Sequence, residues 1–544
     1  MKRIIILFFV VIFSLNAQQN ERPKLVIGIV IDQMRYDYLY RFWDLFGEGG
    51  FKELVKNGYN CTNTHYTYLP TYTGPGHASI FSGTAPWMHG IVGNYWYDRD
   101  TKKSVYCCED TTETAVGGTP SRGVFSPRRL LSNSISDQMR ISNSFRSKTI
   151  GIAIKERSSI LPAGHSANGA YWFDEILGNW VSSTYYMKEL PNWAKDFNGL
   201  KRPETLLKDK WETTFPLAKY TMCSEDDSEF EGLFEGEKKP VFPHDLPQIT
   251  KLLGNYRAIE DTPQGLTLTK EFAIAAIKGE NLGKGEYTDM LTLSFSSTDY
   301  IGHRYGPQAI ENADCYVKLD KEIKEFLAFL KTEFPKGDYL VFLTADHGAS
   351  ENTGYMRQNH IDCGVVDFDA YQKSAEEALR KKFNAGNDVK FIEDIKNFQF
   401  YFNYEVLNKF KTNVGEVTEI VKNELMKFPE VREVFATSEL EKNSNANDPL
   451  RKKFFFGYNK KRGGDAWIVF NPAWLQGDNK GTTHGTGYEY DTHVPLIFYG
   501  MNVNKGENRN SVEIIDIAPT VANFLRIVFP NGSFGNVIDG VFKK

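Results

Sequence analysis

The sequence predicts an α/β protein with a central, mostly parallel sheet, helices on both faces and two large insertions. Three observations carry this expectation. Runs such as Lys24 to Ile31 and Tyr339 to Thr344 are almost continuously apolar, as strands are when helices cover both faces of a parallel sheet. Two irregular stretches, 168–265 and 360–465, interrupt that regular text. At 544 residues the chain also exceeds one simple core. The expected core is therefore assembled from 24–167, 266–359 and 466–544.

The elements follow in order. The strand from Lys24 ends at Asp32-Gln33-Met34, and ligands of such sheets gather at carboxyl ends of strands. A helical pattern covers 36–56. The segment Leu69 to Thr84 comes next, followed by a Gly/Asn/Tyr/Trp-rich loop around Asn94. A second buried strand, 149–154, ends in Lys155-Glu156-Arg157. The insertion 168–265 is rich in Trp, Tyr, Pro and charge. A strand from Met290 then runs into Ser296-Ser-Thr-Asp299 and Gly302-His303. Leu319, Ile323, Phe326, Leu327 and Leu330 mark one apolar stripe of a long helix. The strand 339–344 ends in Ala345-Asp346-His347-Gly348. The insertion 360–465 holds a helical pattern near 414–427 and a Lys/Asn-rich stretch. Ala466 to Phe470 returns to strand, Thr482-Thr483-His484-Gly485-Thr486 follows, and a strand at 494–499 precedes a closing amphipathic helix near 514–526. No internal repeat is evident.

Net charge is −5 and no basic domain stands out, so no nucleic-acid partner is expected. Lys2 and Arg3 precede an apolar run from Ile4 to Leu15 and then Asn16-Ala17-Gln18, the pattern of a secretory leader cut after Ala17. That run is short for a membrane span, and no other segment is apolar enough to cross a bilayer. The expectation is an exported protein, periplasmic or secreted, without a membrane anchor. Six cysteines (Cys61, Cys107, Cys108, Cys223, Cys315, Cys363) permit disulfides but lack zinc-knuckle spacing, and no chemistry is assigned to them. Aromatic residues are frequent, which suits a large core with aromatic loops or a surface for rings.

Thr73 is the candidate nucleophile. It stands just before a small-residue helical pattern, where its hydroxyl would meet the positive end of a helix dipole. Gly74 and Gly76 would keep side chains from blocking a ligand there. A capping threonine on an ordinary turn is the plainer reading of this stretch alone. What favours chemistry is a set of metal-ligating types at four strand ends or following loops: Asp32, Asp299 with His303, Asp346 with His347, and His484. With Thr73 these suffice for two metals of three or four protein ligands each. His77 is read as packing or hydrogen-bonding behind Thr73; His89, His360 and His493 have no role assigned.

The ordered set Asp32, Thr-Tyr-Thr73-Gly-Pro-Gly-His, Asp299-x-x-Gly-His303, Ala-Asp346-His347-Gly and Thr-His484-Gly resembles the alkaline phosphatase superfamily. Within it, the chain is most similar to the phosphate-irrepressible alkaline phosphatases, close to the nucleotide pyrophosphatases/phosphodiesterases, from about residue 24 to 526. The resemblance implies a three-layer alkaline-phosphatase-like fold. It implies one zinc ion on Asp32, Asp346, His347 and Thr73 and a second on Asp299, His303 and His484. It also implies that Asn94, Lys155 and Arg157 contact the phosphoryl oxygens. No Cys-x-Pro-x-Arg surrounds position 73, which departs from the sulfatase pattern.

These roles imply hydrolysis of phosphate monoesters to inorganic phosphate through a phosphothreonine on Thr73. A monoester dianion has two negative charges to neutralise where a diester has one, so Lys155 and Arg157 favour the monoester. The rival readings are a phosphodiesterase or nucleotide pyrophosphatase on the same core, and a non-catalytic secreted glycan-binding protein. Retention of Thr73 and all six Asp/His ligands argues against the last.

Overall fold

The computed structural model describes residues 22–442 and 448–543; the expected leader at 1–17 lies outside them. The strands of the two larger sheets, along the chain, are β1 Leu25–Ile31, β2 Tyr59–Cys61, β3 Ala115–Val116, β4 Thr149–Ala153, β5 Gly169–Asp174, β6 Asn179–Ser183 and β7 Asp289–Phe295. They continue as β8 Tyr339–Thr344, β9 Ile392–Lys396, β10 Gln399–Phe402, β11 Val431–Ala436, β12 Ala466–Phe470, β13 Leu496–Gly500 and β14 Gly506–Asn508. Among the described residues the central sheet has ten strands, in the order β14-β2-β13-β8-β1-β7-β4-β5-β6-β3. Its middle, β8-β1-β7-β4-β5, is parallel throughout. On either side of that middle, β13 and β6 pair antiparallel to it, so the sheet as a whole is mixed.

All seven residues of β1 (LVIGIVI) are buried, as expected of a strand covered on both faces. Helices lie on both sides of the sheet. Helices α1 Thr73–Ser82, α2 Ile135–Ser142, α3 Glu156–Ala163 and α9 Ile517–Leu525 pack on one another. Helices α4 Gln264–Gly279, α5 Ser297–Tyr305 and α6 Ile310–Glu333 form a second group. The stripe Leu319, Ile323, Phe326, Leu327 and Leu330 of α6 is buried in the main core. Among the described residues no helix is long and apolar enough to cross a membrane. All six cysteines are free.

Register places the site. Ile31 stands opposite Phe295, Val30 opposite Thr344, and Ser294 opposite Ala153. Parallel strands in step end together, so the residues just beyond them (Asp32, Ser296 to Asp299, Asp346 and Lys155) emerge along one sheet edge.

The two irregular stretches differ from their expected outlines. β5 and β6, at the start of 168–265, extend the central sheet and belong to the core. The remainder of that stretch packs into the main core through Ala194, Leu207 and Trp211. The second stretch is a lobe with its own centre. Helices α7 Phe368–Phe383 and α8 Val414–Leu425 cover the sheet β9-β10-β12-β11, burying Leu379, Phe391, Phe400, Val417, Val434 and Trp467. The strand expected to return at Ala466–Phe470 does form, but as β12 of this lobe. A run of apolar residues specifies a buried strand without specifying which sheet receives it. Leu69 sits inside the lobe cluster and Tyr72 packs against it, which couples the lobe to the segment carrying Thr73.

Candidate active site

Thr73 is the first residue of α1, with Tyr72 extended at the N-cap, and all ten residues of that helix are buried. Gly83 closes it at φ 67°, donating its N–H to the Ser79 carbonyl. The Thr73 Oγ1 lies 3.5 Å from His347 Nε2. Asp346 and His347 follow β8 after one intervening residue, Ala345, and Asp32 follows β1 directly. Asp299 and His303 stand one turn apart on α5. His484 comes from a loop whose Gly485 and Thr486 N–H groups donate to the Asp491 carboxylate.

Each histidine is oriented by a backbone carbonyl, which can only accept. His303 donates from Nδ1 to Thr482 (2.8 Å), His484 to Thr71 (2.7 Å) and His347 to Gly348 (2.9 Å). All three therefore turn Nε2 toward the carboxylates, and in the neutral tautomer fixed by these bonds that nitrogen is the one able to ligate a metal. His303 and His484 Nε2 lie 3.2 and 3.6 Å from Asp299 Oδ1. His347 Nε2 lies 3.5 Å from both Asp32 Oδ1 and Asp346 Oδ2. Donors about 2.1 Å from one tetrahedral ion stand about 3.4 Å apart, so these spacings suit zinc. The donor groups gather as Asp299, His303, His484 and as Asp32, Asp299, His347, each set within 4.8 Å, which places Asp299 within reach of both.

Two oxygens in this cluster, Asp32 Oδ1 and Asp346 Oδ2, are buried without a hydrogen-bond partner. Buried carboxylate oxygens are normally satisfied, and a cation answers this deficit. Burial, then the charge of Asp346, pushes the Asp32 carboxyl well above its ordinary range. Burial works the same way on Asp299, but His303 and Lys155 outweigh it and hold that carboxyl well below the ordinary range. Burial, then the neighbouring His347, holds the His484 imidazole well below its ordinary value, so it stays neutral. The donor set thus fits divalent metal ions.

Lys155 turns into this cluster, its ammonium 2.8 Å from Asp32 Oδ2 and 2.5 Å from Asp299 Oδ2. Arg157, two residues on, donates to the Tyr106 hydroxyl at 3.2 Å, and Tyr106 is also bonded to Glu156. Asn94 accepts from the Gly74 N–H at 2.8 Å, which fixes its amide beside the start of α1.

Four features escape sequence reasoning. Gln33, at φ 64°, donates from its backbone to Asp346 (3.1 Å) and from Nε2 to Asp299 (2.7 Å), bracing carboxylates of both expected sets. Its only sequence signal is adjacency to Asp32. Tyr106, which holds Arg157, has none. His77 was expected to bond behind Thr73, and it reaches the Thr73 carbonyl and Ser294 hydroxyl (both 2.9 Å). It also faces Asp346 Oδ2 at 3.4 Å, a contact its position alone does not announce. Finally, the reason for glycine at 76 is not ligand access. A Cβ there would stand 2.3 Å from the Asp346 carbonyl oxygen, and one at Gly74 would crowd Asn94 at 3.1 Å. Gly76→Ala should therefore move α1 off Asp346 and lower kcat/KM by about 10²-fold, the scale of a 1 Å misplacement. A variant with unaltered kinetics would remove this reason for the glycine.

A family model described as type I phosphodiesterase / nucleotide pyrophosphatase matches residues 26–494. The chain belongs to that family. It is 43% identical to the alkaline phosphatase PafA of Elizabethkingia meningoseptica over 97% of each chain. It is 42% identical to a protein of Myroides odoratus named calcium-transporting ATPase, over 97% of this chain and 96% of that one. The crystal structure of wild-type alkaline phosphatase PafA superposes with a TM-score of 0.92 at 43% identity, covering 96% of this chain and 99% of that one. This family member is an enzyme of the alkaline phosphatase kind.

Proposed function

We propose that the chain is an exported phosphate monoesterase that uses two zinc ions and Thr73 to release inorganic phosphate. The observation that carries this reading is the convergence of the Thr73 hydroxyl, three oriented imidazoles and three buried carboxylates at one sheet edge. Export rests on the leader pattern at 1–17. The residues assigned to the ions are Asp32, Asp346, His347 and Thr73 for one, and Asp299, His303 and His484 for the other.

Bound there, the ions would supply Lewis-acid chemistry, lowering the pKa of the Thr73 hydroxyl and balancing charge on the departing oxygen. Thr73 Oγ1 attacks phosphorus, the ester P–O bond breaks, and the alcohol leaves from a phosphothreonine. Water then attacks the same phosphorus, releasing phosphate and restoring the hydroxyl. Asn94, anchored through its Oδ1 to Gly74, offers its amide N–H groups to an equatorial oxygen. Arg157, raised well above its ordinary pKa because Tyr106 and Glu156 outweigh burial, stays charged and can bind two oxygens at once. Lys155, paired here with Asp32 and Asp299, would be free to meet the substrate dianion were those carboxylates to hold metal ions.

The name alkaline phosphatase carried by one relative accords with this reading. The family description also includes diesters, so the two cations are the test. Lys155→Ala and Arg157→Ala should each lower kcat/KM for an aryl phosphate monoester by roughly tenfold or more while changing the matching diester much less. Equal losses on both substrates would assign these residues to general packing instead.

A further inference from the structure

A cleft of about 650 Å³ lies beside the start of α1, with Tyr72 and Asn94 among its lining residues. Tyr72 precedes Thr73, and Asn94 is hydrogen-bonded to Gly74, so the leaving group of a phosphoryl ester at Thr73 would have this cleft as its neighbour. One wall is the antiparallel hairpin of Tyr95–Asp98 and Lys103–Tyr106, whose Tyr95 is 53% exposed. The opposite wall is the lobe: Phe368 and Gln372, one turn apart on α7, and Asp394 from the β9 strand. The walls are fastened together by Asn397, which donates to the Tyr95 carbonyl at 2.7 Å.

We propose that this cleft is the leaving-group subsite and that it takes a neutral, hydroxyl-bearing ring, so that the preferred substrates are sugar phosphates. The inference rests on the phosphatase reading above and adds the substrate class. Its volume lies within the range of small-molecule sites. Aromatic faces on both walls suit the apolar C–H face of a sugar ring. Between them stand planar carboxylate and amide groups that accept from and donate to vicinal hydroxyls. The side-chain amides of Gln372 and Gln476, both on the lining, make no hydrogen bond to the rest of the described chain, so they are available to a ligand. Asp369 and Asp394 line the same wall together with Lys396, whose ammonium lies 3.8 Å from Asp394 Oδ2; two carboxylates against one ammonium leave the wall net negative, which disfavours a second phosphate on the leaving group.

The test compares glucose 6-phosphate, ethyl phosphate and adenosine 5′-monophosphate on the zinc-loaded enzyme and on its Phe368→Ala and Gln372→Ala variants. All three substrates expel a primary alkoxide, so differences report the cleft. The wild type should favour glucose 6-phosphate over ethyl phosphate by about tenfold in kcat/KM. Each variant should lower that preference by roughly three- to tenfold, mainly through KM, with ethyl phosphate changed less than about twofold. Phe368 also packs on the lobe core, whereas Gln372 is a partly exposed polar side chain, so the second variant reports even if the first fails to fold. An unchanged preference in Gln372→Ala would overturn the proposal, as would a preference that falls for adenosine monophosphate alone. Ethyl phosphate reaches the reacting centre without filling the cleft. If the wild type turns over neither it nor the others, the phosphatase reading has failed and this inference with it.

Discussion

Thr73→Ala should reduce kcat/KM for an aryl phosphate monoester by about 10³-fold or more, with the zinc content of the protein nearly unchanged. The asymmetry follows from what the side chain contributes. Thr73 is one donor among seven assigned to the metals, whereas no other group in the site is placed to attack phosphorus from its position at the start of α1. Losing the acting nucleophile forfeits nearly the whole covalent route, and what is left is positioning and charge. Acid-quenched wild-type enzyme should carry phosphate on Thr73 by peptide mass spectrometry. Turnover by Thr73→Ala near the wild-type rate would show that water attacks directly and would end the covalent account.

Removal of metal should be as damaging. Dialysis against a chelator should abolish turnover, and zinc should restore it. Asp32, Asp299 and Asp346 lie together in the interior at 0–3% exposure, with Lys155 as the ammonium between two of them. Without divalent ions that ammonium stays engaged with carboxylates, so the site loses its Lewis acids and a substrate-binding cation together. Lys155→Ala should then tighten zinc binding, because the ammonium no longer competes for the oxygens of Asp32 and Asp299. Competition with a chromogenic chelator measures this directly. Weaker zinc binding in the variant would mean that Lys155 supports the ligand cluster rather than opposing it.

The sheet edge was legible because its signal is local. An apolar run followed at once by Asp32, by Asp346-His347 or by Lys155 marks both a buried strand and the end at which it stops. In-step parallel pairing then brings those ends together without further instruction. His77 was readable in role, though its approach to Asp346 depends on how α1 seats against β8. Gln33 and Tyr106 were not readable, because their value lies in which distant carboxylate or guanidinium they reach. Gly76 was singled out for the wrong neighbour: the backbone it must admit is that of Asp346, 270 positions along the chain in another element. Likewise β12 was recognisable as a strand, but its partners β10 and β11 come from the lobe and leave no mark within Ala466–Phe470.

The most direct measurement compares an aryl phosphate monoester with the diester of the same aryl group on zinc-loaded wild-type enzyme. Two cations beside a metal-ligating edge should favour the dianion, so the expected result is a monoester preference of about 10²-fold or more in kcat/KM. A preference for the diester would contradict the account, placing this family member with the phosphodiesterases and leaving Lys155 and Arg157 without the role assigned to them.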